Sequence, residues 1–130
     1  MVTTRRARQL ILIADDDWMS REVMQSFLEN AGYPVLLAAS GAEALSLARE
    51  HLPTLAVVDL RMNDLSGFEV CAALKGEPAT AAIKVALISA LLRDQERTQA
   101  AAVGADDVIS KTLDWNTILA RVCRLLPPGG

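Results

Sequence analysis

The sequence predicts a doubly wound α/β fold, in which helices cover both faces of a five-stranded parallel sheet. Short apolar runs alternate along the chain with stretches that have the three- and four-residue spacing of helices. The apolar runs are continuous, which is typical of strands that are buried on both faces. Strands joined by helices run parallel through right-handed crossovers. The five predicted strands occupy residues 9–14, 35–39, 54–59, 84–89 and 106–110.

The first three predicted helices carry start or stop signals. Gly32 supplies a left-handed stop for the first helix. A serine followed three residues later by a glutamate predicts a capping box. The second helix has Ser40 with Glu43 in this arrangement, and the third has Ser66 with Glu69. The apolar face of the first helix consists of Val23, Met24, Phe27, Leu28 and Ala31.

The last two predicted helices differ in how well they can pack. Gly76 and Pro78 end the third helix, and Gly104 ends the fourth. The fourth helix, "RDQERTQAAAV", is rich in alanine and weakly amphipathic, so we expect it to be loosely anchored. The inner stripe of the fifth helix consists of Ile118, Val122, Leu125 and Leu126.

Length and composition fit one compact globular domain. The chain has 130 residues, of which 52% are hydrophobic and 22% charged, so it is too apolar to be a disordered polymer. The net charge of −3 argues against a nucleic-acid surface. No apolar run reaches the length of about 18 residues that a membrane span needs. Because "MVTTRRARQ" lacks the apolar segment of a secretion signal, we expect a cytoplasmic protein.

The cysteines and the chain ends add few further constraints. Cys71 and Cys123 lie far apart in the sequence, without a C-x-x-C motif or clustered histidines. This spacing predicts that both cysteines are reduced core residues, rather than ligands of a zinc ion or parts of a disulfide framework. Residues 1–8 are interpreted as an N-terminal arm, residues 9–126 as the domain, and residues 127–130 as a C-terminal tail or linker.

Polar side chains follow four of the predicted strands where each strand ends. In doubly wound sheets, ligands bind outside the carboxyl ends of the strands. The meeting of carboxylates, a hydroxyl and an ammonium at one edge therefore predicts a functional site there. These residues are Asp15, Asp16 and Asp17 after the first strand, Asp59 after the third, Ser89 after the fourth and Lys111 after the fifth.

Four motifs in order resemble the receiver domains of response regulators, which act in two-component signal transduction and phosphorelays. The motifs are "ILIADDDW", "VVDLRMNDLSGFE", "LISA" and "GADDVISK", and the resemblance extends from about residue 9 to residue 126. It implies a flavodoxin-like (α/β)5 sandwich with strand order 2-1-3-4-5. It also implies a phosphoprotein that is phosphorylated by a histidine kinase or a histidine phosphotransfer protein.

The resemblance assigns roles to the residues at the strand ends. Asp59 is the expected phosphoacceptor, and Ser89 and Lys111 are the expected partners of the phosphoryl group. The expected ligands of Mg²⁺ or Mn²⁺ are Asp15, Asp16, Asp59 and the backbone carbonyl of Arg61. A hard cation held by carboxylates explains why adjacent aspartates tolerate their mutual repulsion. Asp17 falls outside this set and is expected to face solvent or to start the first helix.

Three of the departures from the family pattern bear on the site and on signalling. Arg61 follows Asp59 by two residues, and its guanidinium is expected to reach the acidic pair or the phosphoryl oxygens. Val108 stands where many receivers carry a switching aromatic. Thr112 follows Lys111 where the family typically has a cis-proline, so we expect a trans peptide, since a cis bond before a non-proline residue costs about 2.5–4 kcal/mol.

Signalling is expected to pass through protein contacts. The implied surface for an effector domain or a downstream protein is formed by the fourth helix, the fifth strand and the fifth helix, and a homodimer is one possibility.

Two alternative functions stay open. In the first alternative, the chain is a degenerate receiver that acts without phosphorylation. In the second, it is an aspartate-nucleophile phosphohydrolase. The second alternative requires an acid two residues after the nucleophile, where this chain has Arg61. No enzymatic activity is expected beyond Mg²⁺-dependent self-phosphorylation and autodephosphorylation.

Overall fold

The structure is a computed structural model that describes residues 9–127. The predicted arm at residues 1–8 and residues 128–130 of the predicted tail lie outside the described residues. The strands are β1 (Ile11–Ala14), β2 (Val35–Ala38), β3 (Leu55–Asp59), β4 (Lys84–Ser89) and β5 (Asp107–Ser110). The helices are α1 (Trp18–Asn30), α2 (Gly41–His51), α3 (Gly67–Gly76), α4 (Asp94–Ala102) and α5 (Trp115–Arg124).

The strands form one parallel sheet in the order β2-β1-β3-β4-β5, which confirms the predicted architecture. Some strands are shorter than predicted, because ladder pairing begins at Ile11 in β1 and at Asp107 in β5. The register pairs Asp59 with Ile88, and Ser89 with Ser110. The last residues of β4 and β5 therefore lie side by side, and Asp59, the last residue of β3, lies in the neighbouring row with Ile88.

Successive side chains of each strand point to opposite faces, so the core has two layers. On one face, Leu12, Val58 and Leu87 pack with buried residues of α2 and α3. On the other face, Ile13 and Val57 pack with buried residues of α1 and α5. The buried helical residues of the first layer include Ala44, Ala48, Val70, Cys71 and Leu74, and those of the second are Met24, Leu28, Ile118 and Val122.

Helix starts follow the predicted chemistry, with one correction. Ser66 and Glu69 form the predicted capping box of α3. At α2, Ser40 Oγ accepts a hydrogen bond from the Glu43 N–H, but the glutamate carboxylate does not complete the box. Glu43 Oε1 accepts the N–H of Ala39 instead, at 2.7 Å.

Helix ends and the fourth helix also agree with the sequence. Gly32 and Gly104 adopt positive φ angles of 97° and 84° beyond the ends of α1 and α4. Within its described span, α4 buries a single side chain, that of Ala100, as expected for a weakly amphipathic helix. Cys71 is buried and Cys123 half-buried, and neither forms a disulfide within residues 9–127. Among the helices of residues 9–127, none has the length and apolar character needed to cross a bilayer.

Candidate functional site

The three consecutive aspartates after β1 have three different environments. Asp15 is buried, with 3% of its surface exposed, and its Oδ1 accepts a hydrogen bond from the Asp17 N–H at 2.9 Å. Asp16 is exposed. Asp17 caps α1, accepting hydrogen bonds from the Met19 N–H and from the Ser20 hydroxyl. The Ser20 hydrogen bond lowers the pKa of Asp17. Asp17 thus starts the helix, as predicted.

Asp59 and Asp15 are bridged by one ammonium group. Asp59 is the last residue of β3 and is 7% exposed. Lys111 Nζ donates to Asp15 Oδ2 at 2.7 Å and to Asp59 Oδ2 at 2.8 Å. The other carboxylate oxygen of Asp59, Oδ1, accepts the backbone N–H of Arg61 at 3.0 Å. The carboxylates from the ends of β1 and β3 therefore share the lysine that follows β5.

Burial and charge act in opposite directions on this pair of carboxylates and its lysine. Burial raises the pKa of Asp15, and the negative charge of Asp59 adds to that rise, although the hydrogen bond from Lys111 opposes it. Burial also disfavours the Lys111 ammonium, but the hydrogen bonds to Asp15 and Asp59 and the negative charges of these two residues together raise the pKa of Lys111. The lysine therefore stays charged at neutral pH, which is the state that an incoming anion requires.

The acidic residues are close enough together to hold a divalent cation. One carboxylate oxygen from each of Asp15, Asp16 and Asp59 lies within 4.8 Å of the other two. Oxygen atoms are the ligands that hard cations such as Mg²⁺ prefer, so this donor set fits the expected group. Lys111 shares the Oδ2 atoms of Asp15 and Asp59, so a cation at this cluster would compete with the ammonium for the same carboxylates.

The hydroxyl at the end of β4 lies in a network that the sequence did not predict. Ser89 is 1% exposed, and its Oγ accepts a hydrogen bond from Arg61 Nη1 at 2.8 Å. Arg61 Nη1 also lies 3.4 Å from the Leu91 carbonyl, and Arg61 Nη2 lies 3.8 Å from Glu96 Oε1. Of the two contacts expected for the guanidinium, the one with the acidic pair is not formed, and the one with phosphoryl oxygens stays a prediction. The planar guanidinium group of Arg61 faces the β4–α4 loop instead.

Two further residues near the site were missed from the sequence. Arg21 Nη1 donates to the backbone carbonyl of Asp15 at 2.7 Å, which adds a cation beside the acidic cluster. Asp64, in the loop between β3 and α3, accepts the N–H groups of Gly41 and Ala42 at the start of α2. An arginine early in the helix after an acidic strand end was the available signal for Arg21. Nothing in the sequence pattern pointed to Asp64.

The two atypical positions lie on either side of Lys111. Val108 is half-buried and packs against the layer that contains α2 and α3. The peptide between Lys111 and Thr112 is trans, as predicted, and no cis peptide occurs within residues 9–127. The Thr112 N–H donates to Ser110 Oγ at 3.1 Å, and the two hydroxyls lie 2.6 Å apart. A serine–threonine turn thus holds the loop that presents Lys111.

The fold and site together define a doubly wound α/β protein with a lysine-bridged acidic pocket at the carboxyl edge of its sheet. Comparison with known sequences shows that this chain belongs to the response regulator receiver domain family, whose family model matches residues 11–123. The recognition made from the sequence motifs is therefore confirmed. The site residues named above lie within the matched region.

Individual relatives agree with the family assignment. The DNA-binding dual master transcriptional regulator RpaA of Synechocystis sp. is 39% identical over 116 residues, which cover 89% of this chain and 48% of RpaA. The structure of chemotaxis protein CheY4 from Vibrio cholerae superposes with a TM-score of 0.86 at 26% identity, covering 91% of this chain and 98% of CheY4. This chain thus spans about half the length of RpaA but nearly all of CheY4.

One similar structure contains a modified aspartate. It is a response regulator protein from Burkholderia pseudomallei with a phosphorylated aspartic acid, a calcium ion and citrate. Its TM-score is 0.79 at 26% identity, and the match covers 88% of this chain and 66% of that chain. A phosphorylated aspartic acid and a divalent cation therefore occur together in a protein of this fold.

Proposed function

We propose that this receiver domain accepts a phosphoryl group on Asp59 from a phosphohistidine donor, with Mg²⁺ or Mn²⁺ bound at the acidic cluster. The observation that carries the proposal is the convergence of Asp15, Asp16 and Asp59 with Lys111 at one edge of the sheet. Phosphoryl transfer requires positioning and charge stabilisation more than covalent assistance from the protein. The pocket has residues for both tasks.

Each residue has a distinct part in the proposed reaction. A carboxylate oxygen of Asp59 forms the new bond to phosphorus while the bond from phosphorus to the donor nitrogen breaks, and the electron pair leaves with the imidazole. Lys111 offers its ammonium to the phosphoryl oxygens, and the Ser89 hydroxyl donates a further hydrogen bond. No general base is needed, because a carboxylate nucleophile has no proton to give up.

The cation site would use the carboxylates of Asp15, Asp16 and Asp59 and the backbone carbonyl of Arg61. When bound, the divalent cation neutralises the negative charge that the phosphoryl group brings to an acidic pocket. A backbone ligand accepts any side chain, so an arginine at position 61 is compatible with this set. Asp16 is the one exposed carboxylate of the cluster, so it offers its oxygen without the burial that Asp15 and Asp59 have.

The proposed partners follow from the family. A histidine kinase or a histidine phosphotransfer protein supplies the phosphoryl group, and α4, β5 and α5 form the proposed contact surface for an effector domain or downstream protein. A cytoplasmic location and a homodimer both remain predictions. We propose no catalytic activity other than self-phosphorylation and autodephosphorylation.

Intact-mass measurement tests the acceptor assignment. The protein is incubated with acetyl phosphate and Mg²⁺, and a single phosphoryl adduct is expected on the wild type and none on Asp59→Asn. Asp17→Asn is the matched control, because it removes the same charge from an aspartate that caps α1 outside the cation cluster. The control variant is expected to keep the adduct.

Two outcomes would contradict the proposal. An adduct of undiminished yield on Asp59→Asn would place the phosphoryl group on another residue. A wild type that stays unmodified by both acetyl phosphate and a phosphohistidine donor would favour the degenerate receiver that acts without phosphorylation. The hydrolase alternative lacks support, because Arg61 stands where that mechanism needs an acid and its guanidinium faces Ser89.

A further inference from the structure

The side chain of Arg61 connects the acceptor loop to the fourth helix. Its backbone N–H donates to Asp59, so its position is fixed relative to the acceptor. Its guanidinium contacts the Ser89 hydroxyl at 2.8 Å, the Leu91 carbonyl at 3.4 Å and the Glu96 carboxylate at 3.8 Å. One side chain thus joins the end of β3, the end of β4 and the first turn of α4.

The hydroxyl of Ser89 uses its one donor and both of its acceptor positions in this arrangement. It donates to the Leu91 carbonyl at 3.1 Å and accepts the Leu91 N–H at 3.3 Å as well as the Arg61 guanidinium. A hydroxyl has one hydrogen to donate and two lone pairs. If Ser89 turns its O–H toward a phosphoryl oxygen on Asp59, it releases the Leu91 carbonyl and frees the loop before α4.

The carboxylate of Glu96 depends on Arg61 as its cation. The Glu96 side chain is 13% exposed, whereas the Arg61 side chain is 58% exposed. A shielded carboxylate that loses its partner has to be rehydrated or neutralised. Since α4 buries a single residue within its described span, Ala100, shifting the helix costs little core packing. The fourth helix is therefore the element that can move to hydrate Glu96.

We propose that Arg61 is a positioning residue that couples phosphorylation of Asp59 to the placement of α4. The inference rests on the proposed phosphoacceptor function. A phosphoryl group on Asp59 carries close to two negative charges, two residues from Arg61, and attracts both the guanidinium and the Ser89 hydroxyl. Glu96 then loses its cation, and α4 shifts. A valine at position 108 has no part in this route, so the coupling does not need a switching aromatic.

The resting contact is tested first, without any phosphoryl group. Amide hydrogen exchange of α4 is measured in the wild type and in the variants Arg61→Ala and Glu96→Gln. Each variant is expected to exchange at least about threefold faster over residues 97–102, because the contact between Arg61 in the β3–α3 loop and Glu96 on α4 is lost. The double variant should exchange no faster than either single one, since both substitutions remove the same contact.

The matched control is Arg93→Ala, which removes an exposed arginine at the N-cap of α4 that makes no side-chain cap hydrogen bond. It should leave exchange of residues 97–102 close to the wild-type rate. Equal exchange in the wild type and both single variants would overturn the proposal. So would an equal acceleration by Arg93→Ala, because the effect would then come from net charge rather than from the contact.

The coupling itself is tested with beryllofluoride and Mg²⁺, which mimic the phosphorylated aspartate. In the wild type, amide shifts are expected at Ser89–Leu92 and throughout α4. In Arg61→Ala, the shifts at Ser89 should persist while those of α4 fall to less than about half. Undiminished α4 shifts in this variant overturn the coupling alone. Failure of the wild type to bind beryllofluoride overturns the proposed function, and the coupling with it.

Discussion

At the scale of single residues, Gly67 fixes the loop that follows the acceptor strand. A Cβ at this position would lie 2.6 Å from the Asp59 carbonyl oxygen and 2.9 Å from the Leu60 Cα. Both contacts are to backbone, so no side chain can turn aside to make room. We expect Gly67→Ala to destabilise the protein by about 1–3 kcal/mol and to slow phosphorylation, because Asp59 is displaced. Urea unfolding and the rate of adduct formation measure the two effects.

Gly76 provides the matched control at the other end of α3. A Cβ added there meets no atom within 4 Å, and its φ is not in the positive range. Gly76→Ala should leave stability unchanged or raise it by up to about 1 kcal/mol, since alanine restricts the unfolded chain. Equal losses in the two variants would contradict this account, because the close approach to β3 exists only at Gly67 and alanine favours a helix more than glycine does.

At the scale of elements, the start of α2 depends on a carboxylate from another loop. Asp64 accepts the N–H groups of Gly41 at 2.9 Å and of Ala42 at 2.8 Å. These bonds, led by that from Ala42, lower the pKa of Asp64 from its ordinary 3.8 to about 2. A lowered pKa means that the cap stabilises the fold above pH 4 and is lost as pH falls from about 4 to 2.

This cap predicts an acid dependence that a single substitution removes. The wild type should be more stable than Asp64→Asn at pH 6, and the difference should shrink between pH 4 and pH 2. Chemical denaturation at a series of pH values measures it. Glu22→Gln, on α1, is the control for removal of one exposed acid. A difference between wild type and Asp64→Asn that stays constant down to pH 2 would contradict the assignment.

The unit of β5 and α5 is braced more firmly than α4. Arg121 contacts both carboxylate oxygens of Asp107, at 2.6 and 3.1 Å, and donates to the Val108 carbonyl at 3.2 Å. On addition of beryllofluoride, we therefore expect smaller amide shifts at Val108 and residues 114–126 than at Ser89–Leu92. Shifts of equal size in the two regions would show that a switch through β5 operates without the aromatic.

At the scale of the whole molecule, cation binding should appear as added stability. A ligand that binds the native state at ten times its dissociation constant stabilises it by about 1.4 kcal/mol. For a domain of this size, that corresponds to a rise in melting temperature of roughly 3–6 °C. We expect millimolar Mg²⁺ to produce this rise in the wild type and in Asp17→Asn but not in Asp16→Asn. A full response in Asp16→Asn would place the cation elsewhere.

Part of the fold and of the candidate site could be predicted from the sequence alone. Asp15, Asp59 and Lys111 were predicted to meet because the alternation of strands and helices places strand ends at one edge. The structure brings them together. The order of the strands was predicted from the family resemblance, since alternation alone leaves several parallel orders possible. Residue roles in phosphorylation and cation binding remain predictions.

The contacts missed from the sequence share a physical cause. The side chains of Arg21, Asp64 and Glu96 cross from one element or loop to another, so their partners depend on rotamers and loop paths rather than on periodicity. Arg61 was recognised as unusual, but its contacts with Ser89 and Glu96 were not predicted, for the same reason. A long, flexible side chain has several acceptors within reach, and packing of the surrounding loops selects among them.

The bridge between Lys111 and Asp15 joins residues that lie 96 positions apart in the chain. During synthesis, the two carboxylates at the ends of β1 and β3 emerge well before this lysine. A nascent chain that has formed β1 and β3 therefore holds two neighbouring negative charges without their shared ammonium. We expect such a chain to keep this edge of the sheet open to water until β5 adds to β4, so the acceptor pocket is among the last parts of the newly made protein to become competent.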